Sequence, residues 1–234
     1  MRRVGPCQTL CGGGHPRFPQ PRFPPIDHNP LEFMPFPLRF TCPFVLASAS
    51  PRRRALLDQL NVQFEATTSP ADESITGSPS PPALVRRLSA RKAAPVAESR
   101  PSALVLAADT VVAHNDTVLE KPESPSHARR MLRRLSDTTH QVHTGIALHH
   151  AASDRRVATV NTTEVTLAPL SDAEISAYID TGSPFDKAGG YGIQDHTAPL
   201  FVTGITGDYY TVVGLPLRVL YEHLHAHFGD LLMT

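Results

Sequence analysis

Cysteine is scarce in this sequence and sits near one end, as Cys7, Cys11 and Cys42. An odd number with no C-x-x-C pair supports neither a disulfide framework nor a zinc site. A reducing cytoplasm is therefore the simplest home to expect. An excess of either charge is missing too, since Lys+Arg and Asp+Glu both number 22. Binding to a nucleic acid polymer normally leaves a basic surplus, so no such partner is expected. A small anion held by a local basic cluster stays compatible with that balance. No apolar stretch approaches the length of a membrane span, about 20 residues, and a soluble protein is expected. A P-loop, a dinucleotide fingerprint, a kinase signature set and a G-x-S-x-G elbow are all absent. There is no internal repeat.

What is present begins with a compositional break. Residues 1–40 hold nine of the 23 prolines, together with Gly12-Gly13-Gly14. With no helical or strand periodicity, this stretch does not bury a core and is expected to be a disordered extension. A translation start at Met34 would make the residues before it an artefact. An organellar transit peptide is a third reading, because the first acidic residue is Asp27. The main domain is expected over residues 43–230.

Within that domain strands and helices alternate. Phe44–Ala47 reads as a short buried strand, and a helix is expected over 51–60 with Leu56, Leu57 and Leu60 on one side. A strand at 62–66, a helix over 83–94 and a central strand at 104–108 follow. Val111–Ala113 and Thr117–Leu119 predict a hairpin. A helix at 126–136, strands at 141–148 and 157–167, and a capping box opened by Ser171 come next. Residues 201–205 and 209–213 are expected to pair as strands across Thr206-Gly207-Asp208, before a last helix from Pro216. The fold class is α/β or α+β with a mixed sheet.

Three stretches carry chemistry. In Ser48-Ala49-Ser50-Pro51-Arg52-Arg53-Arg54, Ser50 is a good N-cap and Pro51 a good first-turn residue. Free N–H groups at a helix start then meet several guanidinium groups, which suits a polyphosphate. Asp109 follows the apolar run at 104–108 and should emerge at a strand end, placed for proton transfer or for Mg²⁺. Thr110 beside it offers a hydroxyl, and Lys121, stiffened by Pro122, an ammonium for a phosphate. Asp186-Lys187-Ala188-Gly189-Gly190-Tyr191-Gly192-Ile193-Gln194 combines close backbone approach with a carboxylate, an ammonium, a phenol and an amide. The amide of Gln194 can pair with a base edge. His223, His225 and His227 alternate along the last helix without an acidic third ligand, and read as a solvated face.

Together these stretches, with Glu120-Lys121-Pro122, His143-Thr144-Gly145 and Val213-Gly214-Leu215-Pro216-Leu217, resemble the Maf family of nucleoside triphosphate pyrophosphatases. The likeness runs from about 43 to 228. It implies an inosine-triphosphatase-like fold, an elongated mixed sheet between two α/β lobes with a central cleft. It also implies hydrolysis of a nucleoside triphosphate to monophosphate and pyrophosphate with a divalent cation, Mg²⁺ or Mn²⁺, and a homodimer. By that resemblance Asp109 is the proton acceptor and lies near the metal, with Glu73 as a second metal carboxylate. Arg53, Lys92 and Lys121 correspond to triphosphate ligands, and Arg52, Thr110 and Gln194 to positions that govern substrate choice. Ser48, Asp186 and Lys187 complete the expected binding set.

The Asp109-Thr110 pair and the Gly-rich run resemble the branch acting on dTTP and UTP, rather than the branch acting on 7-methyl-GTP. Removal of non-standard pyrimidine nucleotides fits the same chemistry. Rival readings are a non-catalytic nucleotide-binding regulator of cell division and a phosphatase releasing the terminal phosphate. Asp109 speaks for an enzyme, because a pure binder needs no base. The sequence departs from the family pattern at Asn61, Asp137, Asp195 and Thr211. Asp195 is expected to add negative charge beside the base pocket.

Overall fold

The computed structural model describes residues 38–74 and 77–233. Most of the extension read over 1–40, with Cys7, Cys11, Asp27 and Met34, lies outside the described residues. Packed chain begins ahead of Pro43, because Leu38 is buried and the Phe40 ring stacks on Phe44 at 4.2 Å. Phe40 also bridges to Leu232, so the two ends of the domain are tied together.

Strand β1 (Phe44–Ala47) turns through Ser48–Ser50 into helix α1 (Pro51–Gln59). Ser50 caps that helix, its hydroxyl accepting from the Arg53 N–H at 3.4 Å. Next come β2 (Glu65–Thr67), α2 (Pro81–Ser99), β3 (Leu104–His114) and its hairpin partner β4 (Thr117–Leu119). Helix α3 (Pro125–Leu135) starts on a Ser124 cap. Long strands β5 (Thr139–His150) and β6 (Arg155–Leu167) follow, and then α4 (Asp172–Asp180) on the expected Ser171–Glu174 capping box. The chain closes with α5 (Ala198–Phe201), β7 (Val202–Thr206), α6 (Tyr209–Val213) and α7 (Leu217–Phe228).

The seven strands form one mixed sheet in the order β2-β1-β3-β5-β6-β7, with β4 on β3. Strand β1 is parallel to β2 and β3, and the remaining pairs are antiparallel. This is the mixed α/β architecture expected from the alternation of elements.

Alternation along the central strands sorts the core by face. Leu46, Leu104, Leu106, Ile146 and Leu148 point to one side and pack with residues of α1 and α7. Further along that side Val112, Val142, Val165 and Leu167 pack with α3 and α4. Val45, Ala47, Val105, Ala107 and Ala147 point the other way, against α2.

Four expectations need correction. Asp109, expected to emerge at a strand end after 104–108, lies inside β3, which runs unbroken from Leu104 to His114 because it stays paired with β5 along that length. The strand expected at 62–66 is confined to Glu65–Thr67, and Val62 packs into the core ahead of it. The helix expected over 83–94 does not end ahead of Pro95. Instead α2 runs to Ser99, because Val96 and Ala97 bury against the sheet just as Ala93 does. The strand expected at 209–213 is a short helix, and β7 pairs with β6 instead. The Asp208 carboxylate caps it, accepting from the Thr211 N–H at 2.7 Å, and Gly214 at φ +119° ends it. This cap outweighs the β-branched character of Thr211, Val212 and Val213.

Candidate active site

The site begins with a gap in the sheet. Strand β1 pairs with β3 only over Leu104–Leu106, and β4 pairs only over Val112–His114. Between them β3 is paired on one side alone, by β5. Asp109 and Thr110 sit in that gap, and alternation sends them to opposite faces of the same strand. A cleft of about 230 Å³ opens there.

On the α2 side, the Lys92 ammonium lies 2.6 Å from Asp109 Oδ2 and 2.9 Å from Glu73 Oε2. The side chains of Lys92 and Asp109 are 16% and 13% exposed, so this pair is largely desolvated, whereas Glu73 is open to solvent. Gly145 makes the placement possible. A Cβ there would stand 2.3 Å from the Val85 carbonyl oxygen, so only glycine lets α2 cross β5 this closely.

On the other face Arg53 is held three ways. Its Nε donates to Gly214 O at 2.8 Å, Nη1 to Ser48 Oγ at 3.2 Å and Nη2 to Thr110 Oγ1 at 3.1 Å. Burial lowers its pKa to about 10, while Asp109 pulls in the opposite direction, so it stays charged at neutral pH. Arg52 reaches the Gly-rich segment instead, donating to Asp186 Oδ2 at 2.8 Å. Burial alone would raise the Asp186 carboxyl, but hydrogen bonds from Lys187 and Arg52 hold it below the usual range. Lys121 is exposed on the rim, without an ion pair among the described residues.

All the sequence-selected residues except Ser48 line this one cleft: Arg52, Arg53, Glu73, Lys92, Asp109, Thr110, Lys121, Asp186, Lys187 and Gln194. Ser48 stands behind the wall and braces Arg53. Lys187 is engaged within its own segment, with Ser183 O at 2.7 Å and Asp186 Oδ1 at 2.6 Å. Asp195 does not present a bare charge to the cleft. Its Oδ2 accepts from the hydroxyls of Tyr178 and Ser183, and Lys187 Nζ lies 3.5 Å from its Oδ1.

Sequence reasoning missed the uncharged half of the cleft, where Val112, Val142, Val212 and Ile193 stand. It named Tyr191 but not the group that holds it, the buried His140, whose Nε2 lies 2.7 Å from the Tyr191 hydroxyl. The valines carry no chemical signature, and only the period-two register with Thr110 points to Val112, and the cross-strand pairing to Val142 beside it.

The carboxylates of Glu73 and Asp109 converge on one ammonium and are the donors available to a divalent cation. Among the described residues no group of three or more His, Cys, Asp or Glu side chains gathers at one point. One or two carboxylates completed by phosphate oxygens and water is a mode that suits Mg²⁺, and this donor set fits it.

The Maf-like protein family model matches residues 43–227. The dTTP/UTP pyrophosphatase of Salinibacter ruber is 66% identical over 204 residues, covering 87% of this chain and 97% of that protein. That of Moorella thermoacetica is 50% identical over 185 residues, 79% of this chain and 94% of that protein. The corresponding protein of Halalkalibacterium halodurans is 47% identical over 185 residues, 79% and 96% of the two chains. The cleft thus lies wholly inside the matched segment, and the chain belongs to the Maf family.

Proposed function

We propose that this protein is a nucleoside triphosphate pyrophosphatase, which hydrolyses dTTP and UTP to the monophosphate and pyrophosphate. The observation that carries the reading is Asp109, a nearly buried carboxylate on Lys92 at the unpaired edge of β3, with Arg52, Arg53 and Lys121 around the same cleft. The names of its relatives support the choice of dTTP and UTP.

Each residue then has a defined task. Arg53, clamped by Gly214, Ser48 and Thr110, presents a fixed positive charge to the phosphates. Lys121 adds a mobile charge from the rim, and Lys92 neutralises the carboxylates between turnovers. Asp109 accepts the proton of a water directed at the α-phosphorus. Glu73 and Asp109 would hold a divalent cation, which when bound spreads the negative charge of the triphosphate and of the departing pyrophosphate. No covalent intermediate is needed. The apolar wall and the amide of Gln194, which has no hydrogen-bond partner among the described residues, receive the base.

The reading also includes the cytoplasm as location, a homodimer as assembly and free nucleotides as the only nucleic acid component bound. Few cysteines support the location and a zero formal charge the lack of a polymer partner, while the homodimer rests on the family resemblance alone. Among the described residues no helix is long and apolar enough to cross a membrane.

Product analysis with dTTP, UTP, CTP, GTP and 7-methyl-GTP, in the presence of Mg²⁺ or Mn²⁺, tests the reading. Pyrophosphate and monophosphate from dTTP and UTP are expected, with the rate falling by about 10² to 10⁴ in Asp109→Asn. Turnover of 7-methyl-GTP alone would overturn the substrate assignment, and orthophosphate release would overturn the reaction.

A further inference from the structure

Thr110 and Thr144 are register partners on β3 and β5, and their hydroxyl oxygens lie 2.9 Å apart. Thr144 is fully buried and donates its single hydroxyl proton to the Thr211 carbonyl oxygen at 2.7 Å. That carbonyl belongs to the last turn of α6, where carbonyl groups have no partner within the helix. The N–H groups of Gly214 and Leu215 both go to Tyr210 O, so the Thr144 hydroxyl fills the vacancy.

With that proton committed, Thr144 can only accept from Thr110. The Thr110 proton therefore points into the wall, away from any ligand. One of the two remaining lone pairs of Thr110 Oγ1 takes the Arg53 Nη2–H at 3.1 Å. Toward the cleft Thr110 offers one lone pair and no proton. Its face of the sheet is shared with the Arg53 guanidinium as well as with Val112 and Val142, opposite the face where Asp109 meets Lys92 and Glu73. A phosphate brings acceptors only and gains nothing from such a group. The N3–H of uracil or thymine is a donor and does, whereas cytosine presents a bare acceptor at N3.

We infer that Thr144 is a positioning residue for substrate choice: by taking the Thr110 proton it fixes Thr110 as an acceptor for the imide N–H of uracil and thymine, and against cytosine. This inference rests on the pyrimidine triphosphate reading proposed above.

The test is the ratio of kcat/KM for UTP to that for CTP in the wild type, Thr144→Val and Thr144→Ser. In Thr144→Val the Thr110 hydroxyl is free to turn its proton outward. The ratio is expected to fall about tenfold or more, mainly through UTP, because a hydrogen bond to the base is lost. Thr144→Ser restores the hydroxyl and is expected to restore the ratio. Equal losses on UTP and CTP, or an unchanged ratio, would reduce Thr144 to a packing role and overturn the inference. Should Thr144→Val fail to fold, Thr144→Cys replaces it, since a thiol is a weak donor and acceptor. An intermediate fall in the ratio is then expected, and a ratio equal to wild type overturns the inference. A wild type that releases pyrophosphate from neither UTP nor dTTP overturns the function reading itself.

Discussion

His140 shows how one side chain sets a property of the whole domain. It is 2% exposed, its Nδ1 has no hydrogen-bond partner among the described residues, and burial lowers its pKa to about 4, with a smaller push from His114. In the unfolded chain the same imidazole titrates near 6.5. Between these values the unfolded state binds the extra proton, so stability is full above about pH 6.5 and declines as pH falls toward 4. The difference corresponds to about 3 kcal/mol at most. Burial moves His143, His149 and His223 the same way. Thermal unfolding between pH 7.5 and 4.5 is expected to show a shallower decline in His140→Gln than in the wild type. Equal slopes would assign the acid sensitivity to the other histidines. At this scale much of the site was legible, because charged residues beside prolines and glycines advertise themselves. His140 was not, since a lone histidine in a strand looks the same whether it is buried or solvated.

Among the elements, α2 matters most to the chemistry, because it carries Lys92 to Asp109. Its close approach to β5 depends on Gly145. In Gly145→Ala the new methyl meets the Val85 backbone at 2.3 Å, so either helix or strand must move. A loss of about 1–3 kcal/mol is expected from the overpacking, together with slower turnover as the Lys92–Asp109 contact loosens. Thermal unfolding and steady-state rates check both. Wild-type values would mean that α2 adapts freely and that the close crossing is not required. Element boundaries were legible wherever a cap or a strict period marked them, as at Ser50, Ser124 and Ser171. Residues 209–213 were misread because their composition favours a strand, while the deciding cap comes from Asp208 just outside them.

For the molecule as a whole, the decisive feature is where β3 lacks a second neighbour. The mixed α/β class, the bounds of β1 and the hairpin with β4 follow from local pattern, but nothing local reveals that β1 and β4 share one edge of β3 and leave it unpaired between Leu106 and Val112. That gap depends on pairing between distant segments, which a linear reading does not contain. The two faces of the sheet meet there, and on the proposed reading this joins phosphate chemistry to base recognition. On the proposed reading, turnover requires a divalent cation held by Glu73 and Asp109. Chelation is expected to abolish hydrolysis and added Mg²⁺ or Mn²⁺ to restore it. Glu73→Gln should raise the cation concentration needed for half-maximal rate, and an unshifted requirement would remove Glu73 from the metal site.

The most direct test of the central claim is hydrolysis of UTP in ¹⁸O-labelled water, with the label located in the products. Attack on the α-phosphorus by a water activated by Asp109 puts one ¹⁸O into UMP and leaves the pyrophosphate unlabelled, and Asp109→Asn forms neither product at a comparable rate. Label in the pyrophosphate, UDP with labelled orthophosphate, or an undiminished rate in Asp109→Asn would contradict it.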